Sequence, residues 1–235
     1  MDMKKLLLLI CCTIGFIAFS KAQDQQVTLG TAHDYSVAAV PGYTYTWSVD
    51  VAGSSTDLSG VTGNSINVLW DKAEGTYNIT VFATDAALCK SEIETISIQV
   101  LGQSSVLFAA ADDAQTCSDR NGNVDGGGAS GGNSSFEVQF TGGLAPYELK
   151  YKVLDPLDAQ VGAEVTVSGL SATDMVDVPN QFINDGTVNA VYKVVLVSAT
   201  TKDGATVDIP TGIADNTRTI TVLPKPRITG GIILN

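Results

Sequence analysis

Four oxygen-bearing side chains alternate along one stretch of this chain: Asp119, Asn121, Asn123 and Asp125. Donors spaced by two can converge on a single hard cation, so the ion this pattern addresses is Ca²⁺. Twelve-residue calcium loops also need Gly at the sixth position and a bidentate carboxylate at the twelfth, and here those places hold Val124 and Ser130. Asp112 and Asp113 stand near enough in sequence to add ligands. The surrounding run of Gly, Asn and Ser from 119 to 133 otherwise reads as a plain solvated loop. Cys89 and Cys117 are the two cysteines beyond the leader segment. An oxidising compartment favours a bridge between them, and a Cα separation beyond about 7 Å forbids one, so a bridge and two separate thiols both stay open. The sole histidine, His33, stands without a nucleophile motif, a Ser/His/Asp order or a His/Cys zinc spacing. That reads as a surface residue in a non-enzymatic chain.

Aromatic side chains offer a different chemistry. Trp70 closes an alternating segment next to a loop, and with Tyr43 and Tyr147 it could stack on a sugar ring. The commoner role of such residues is core packing. Beyond Pro224-Lys225-Pro226 the chain reads Arg227-Ile228-Thr229-Gly230-Gly231-Ile232-Ile233-Leu234-Asn235. Arg227, Ile228, Ile232, Ile233 and Leu234 make a short apolar, β-prone segment. It either folds back on its own sheet or pairs with an open sheet edge of another protein by strand addition.

Strands must position all of these groups. Tyr43 to Val49, Asn64 to Trp70 and Glu74 to Val81 each alternate apolar with polar residues, the period of a half-buried β-strand. Further strands are expected at 26–30, 34–39 and 92–101, with turn chemistry at Pro41-Gly42 and Ala52-Gly53-Ser54-Ser55. This spacing predicts a seven-strand immunoglobulin-type sandwich over residues 23–102, with Trp47 at its centre among Val49, Ile66, Val68, Tyr77, Ile79 and Val81. A second sandwich is expected over 103–224, with strands at 105–110, 135–140, 147–153, 164–168, 175–178, 190–198 and 217–223. It would carry the Gly-rich loop 119–133 and be followed by the tail 225–235. The fold class is therefore all-β, two tandem immunoglobulin-like sandwiches.

The beginning of the chain reads as a signal peptide over residues 1–22. Lys4 and Lys5 precede an apolar run from Leu6 to Phe19, and Ser20-Lys21-Ala22 places small residues for cleavage before Gln23. The run is shorter than the roughly 20 residues a bilayer span needs, and no later segment approaches that length, so no integral membrane segment is expected after cleavage. Ile10 before Cys11 argues against lipidation. Removing three Lys and one Asp takes 13 basic and 25 acidic residues to 10 and 24, a net charge of −14. Such a chain repels phosphate backbones, which excludes nucleic acid as a partner.

Several of these motifs resemble a known family. Tyr45-Thr46-Trp47-Ser48-Val49, the Gly60/Gly63 region, Ser65 to Trp70, Gly75 to Val81 and the Cys-bearing Ala87-Leu88-Cys89-Lys90-Ser91 resemble the PKD-like domains of secreted surface proteins in Bacteroidetes-type bacteria. Val51-Ala52 departs from that pattern, where a Pro-Gly turn is common. Phe136 to Phe140, followed by Thr141-Gly142-Gly143-Leu144-Ala145-Pro146-Tyr147, resembles Ig-like repeats of large adhesins and gliding-associated proteins. The ending is similar to small secreted proteins of that group and lacks the Lys-rich end of the common type IX secretion signal. The resemblance implies an exported protein of the cell surface, periplasm or medium. It would act in adhesion, gliding motility or secretion through protein–protein interaction, with other surface or outer-membrane proteins or by self-assembly. A carbohydrate-binding module of a polysaccharide-utilising system is the alternative. No cofactor is expected beyond Ca²⁺ at the 119–125 stretch.

Overall fold

The computed structural model describes residues 25–109, 113–118, 133–179 and 182–224. The expected signal peptide, most of the Gly-rich loop and the tail lie outside the described residues.

The first sandwich uses six strands: β1 (Gln25–Thr28), β2 (Thr31–Ser36), β3 (Thr44–Val49), β4 (Ser65–Trp70), β5 (Gly75–Thr84) and β6 (Glu94–Leu101). One sheet runs β1-β6-β5-β3, and β2-β4 form the other. Alternation does the sorting. In β3, Tyr45, Trp47 and Val49 point inward, and in β4 Ile66, Val68 and Trp70 do the same. Trp70 is the largest fully buried side chain, its ring stacked on Tyr77 and its Nε1 donating to the Tyr35 hydroxyl at 3.0 Å. Gly53 lies so close to Tyr77 that a Cβ there would stand 2.4 Å from the ring. The expected core around Trp47 is thus present. A seventh strand is not present among the described residues. Between β3 and β4 the backbone is committed to side-chain turns instead, with Ala52 N donating to Asp50 Oδ1, Ser55 N to Asp71 Oδ1 and Ser59 N to Asp57 Oδ1. Short polar side chains of this kind offer the backbone an alternative to a ladder.

The second sandwich contains β7 (Ser105–Phe108), β8 (Ala114–Cys117), β9 (Asn133–Thr141), β10 (Tyr147–Leu154), β11 (Gln160–Leu170), β12 (Thr173–Pro179), β13 (Ala190–Thr200), β14 (Thr206–Val207), a single helical turn α1 (Ile213–Asn216) and β15 (Thr217–Leu223). The larger sheet runs β11-β10-β13-β15-β8, with β14 beside β13, and the smaller runs β12-β9-β7. The seven expected strands are all present, while β8, β14 and α1 are additions. Strand β11 is also longer than expected, because Gly162, at φ 71°, absorbs a bulge opposite β10 and lets pairing continue. Between β9 and β10, Gly142 and Gly143 adopt φ of 66° and 69°. A Cβ on Gly142 would stand 2.4 Å from the Gln103 carbonyl oxygen. Each sandwich has its own hydrophobic cluster.

Candidate functional site

The most developed polar cluster lies where the sandwiches meet. Only Gly102-Gln103-Ser104 separate β6 from β7, so the chain holds the two bodies close. Asp203, in the β13–β14 turn, sends its carboxylate into the gap and is only 4% exposed there. It accepts from Thr28 N at 2.6 Å, Thr28 Oγ1 at 2.8 Å and Thr201 Oγ1 at 2.5 Å. Thr28 Oγ1 in turn accepts from Leu144 N at 3.0 Å. Gly143 N donates to Gly102 O, and Ser104 Oγ to Gly142 O. Burial would raise the Asp203 carboxyl, but hydrogen bonds from Thr201 and Thr28 outweigh it and hold the group below the usual carboxylate range.

His33 also reaches this cluster, which is the nearest approach to a catalytic arrangement. Its Nε2 lies 2.9 Å from Thr31 Oγ1 and 3.5 Å from Asp203 Oδ2. The Thr31 hydroxyl donates to Thr28 O at 2.6 Å, so it accepts from His33, and Nε2 must carry the proton. A nucleophilic triad needs the opposite: an unprotonated ring nitrogen facing the hydroxyl and the second nitrogen facing the carboxylate. Here one nitrogen faces both partners. The cluster is built to fasten, and His33 is half-buried in it rather than free on the surface.

The sequence-derived candidates are scattered. Trp70 is 0% exposed and Tyr147 is 4% exposed, which overturns both as glycan-stacking surfaces. Tyr147 is instead stacked on Phe140 with centroids 4.2 Å apart, its hydroxyl donating to Gly142 O at 2.7 Å. Tyr43, 44% exposed, remains at the surface without them. Cys89 and Cys117 are unbonded and exposed. Cys89 sits in the β5–β6 hairpin, whose far side begins β6 at Glu94. The eight residues of β6 span about 26 Å before the linker is reached. Cys117 ends β8, paired with Leu223 at the other extreme of the second sandwich. The strands therefore hold the two sulfurs far beyond bridging range. Asp119, Asn121, Asn123 and Asp125 lie outside the described residues, as do Arg227, Ile228, Ile232, Ile233 and Leu234. Among the described residues no group of three or more His, Cys, Asp or Glu side chains could hold a metal ion. Among them, too, no helix is long and apolar enough to cross a membrane.

No family model matches the chain, and no curated protein does. Solved structures do. The chain is similar to the fibronectin(III)-like modules of CbhA from Clostridium thermocellum, at 11% identity over 88% of this chain and 92% of that one, with a TM-score of 0.29. It is similar to titin domains z1z2 in complex with telethonin, at 12% identity over 86% and 92%, TM-score 0.29. It is also similar to the three N-terminal domains of the bacteriophage RB49 Highly Immunogenic Outer Capsid protein, at 11% identity over 88% and 69%, TM-score 0.34. The sandwich class follows from the chain's own strand order.

Proposed function

We propose that this is an exported, non-enzymatic protein-interaction subunit of a bacterial surface assembly of the PKD-like and Ig-like kind, serving adhesion, gliding or secretion. The observation that carries the reading is the junction: two sandwiches fastened end to end through Asp203, so that binding surfaces at the two ends are held at a fixed spacing. The leader-like first 22 residues and the resemblance of Tyr45 to Val81 support the surface setting. The apolar segment Arg227 to Leu234 supplies the contact element, and its partners are other surface or outer-membrane proteins or further copies of the chain.

The test is native mass measurement and affinity capture on the chain from Gln23, with and without residues 227–235, in the producing bacterium. The expected result is an assembly, or a defined outer-membrane partner, that is lost with the tail. A chain that stays monomeric and captures nothing in either form overturns the reading.

A further inference from the structure

Among the described residues, part of one edge of the first sandwich is unpaired. Strand β1 pairs with β6 only over Ile98 to Leu101, so the Glu94 to Ser97 half of β6 has no neighbour on that side among the described residues. Across from it, β2 pairs with β4 alone. Val37 N donates to Asn64 O, which continues the β2–β4 ladder. By the alternation of antiparallel pairing, the backbone groups of Asp34 and Ser36 then face away from β4, toward the opening. A cleft of about 340 Å³ lies between these two edges, with Asp34, Ser36 and Glu94 at its walls and Trp47, Ile79 and Val81 beneath. That volume is within the range of clefts that hold a ligand. Two other exposed edges are blunted. On β4, Thr56 Oγ1 accepts from Leu69 N and Ser54 Oγ donates to Leu69 O. On β12, Asp174 Oδ1 accepts from Met175 N and the Tyr151 hydroxyl donates to Asp177 O. At Asp34 and Ser36 no backbone cap of that kind is present among the described residues.

We propose that this slot receives the Lys225–Asn235 segment of a second copy by strand addition, an inference that rests on the export and interaction reading above. The donor segment matches in pattern: Ile228, Gly230, Ile232 and Leu234 fall on one face of an extended strand, over the apolar floor. It also matches in charge, since Lys225 and Arg227 approach a mouth bearing Asp34 and Glu94.

Reach decides between the same chain and another. The segment leaves β15 at Leu223, at the end of the second sandwich remote from the linker. To return, it must first run alongside β13, eleven residues or about 36 Å. That crossing consumes Ile228, Ile232 and Leu234 before the first sandwich is reached. A second copy has no such distance to cover, and repetition of the contact gives an open head-to-tail filament.

Cross-linking tests it in a Cys89→Ser, Cys117→Ser background. Ser36→Cys marks the slot and Ile233→Cys the solvent side of the donor, with diamide as oxidant. Bonded species at multiples of the chain mass, requiring both new cysteines, are expected. A synthetic Lys225–Asn235 peptide should bind the chain ending at Pro224, and the Ile232→Asp peptide should bind at least 10-fold more weakly. A bond formed within one chain overturns the proposal in favour of a folded-back tail. Association that needs the tail but gives no Ser36–Ile233 cross-link overturns the slot and leaves the interaction reading standing. Absence of peptide binding together with a monomeric chain overturns both.

Discussion

Asp203 sets the terms at the scale of single residues. Its carboxylate takes hydrogen bonds from both sandwiches in a nearly closed space. Hydrogen bonds to charged groups contribute about 1.5–3 kcal/mol each in such settings. Asp203→Asn should lower stability by about 2 kcal/mol, read as a shift in urea midpoint, and should broaden the interdomain distance distribution in solution scattering. Unchanged scattering with lowered stability would show that the linker alone holds the sandwiches. The aromatic residues make the complementary pair. Trp70→Ala should cost about 3–5 kcal/mol, as deletion of a packed indole does. Tyr43→Ala should stay within about 0.5 kcal/mol, as exposed substitutions do. Both follow from chemical denaturation. Arg218, buried beneath Phe108, donates to the carbonyls of Phe108, Ala214 and Thr217, which explains a cation inside the second core.

Elements show what alternation reveals and what it conceals. Strands β3, β4 and β5 were legible because each has one face toward Trp47 and one toward water, so hydrophobicity carries the period of the backbone. The Gly142-Gly143 turn has a local cause: two positive φ angles in a row demand glycine. Gly142→Ala should therefore cost more than about 1 kcal/mol, from strained φ and collision with the Gln103 carbonyl, measurable as a lowered Tm. Strand β8 escaped notice because Ala-Gln-Thr-Cys has no alternating apolar signature and is held by a parallel partner, β15, about a hundred residues on. The six strands of the first sandwich are the six segments that alternation marks; the seventh was expected from the immunoglobulin pattern alone, with no segment of its own. Trp70 misled because a large aromatic beside a loop looks alike in sequence whether it faces sugar or core. The junction was hidden for the plainest reason: Thr28 and Asp203 are 175 residues apart, and nothing local in Thr201-Lys202-Asp203-Gly204 beyond a turn signal announces a distant partner.

For the whole molecule, the Asp203 carboxyl links junction integrity to pH. Its folded value lies below the ordinary one, so the folded chain releases that proton more readily than the unfolded chain. The resulting stabilisation is fully present above about pH 4 and fades as pH falls through the lower folded value. Urea midpoints between pH 6 and 3 should fall toward acid, and Asp203→Asn should remove part of that slope. An identical slope in the variant would assign the acid sensitivity elsewhere. Strand direction carries a further consequence. In the first sandwich β1 lies parallel to β6, and in the second β8 lies parallel to β15, with four residue pairs each. Tension applied between Gln25 and Leu101 draws β1 and β6 in opposite directions along their own axes. All the rungs then take strain together instead of peeling one after another. Under such a load the first sandwich would yield late and abruptly, its β1–β6 rungs failing together.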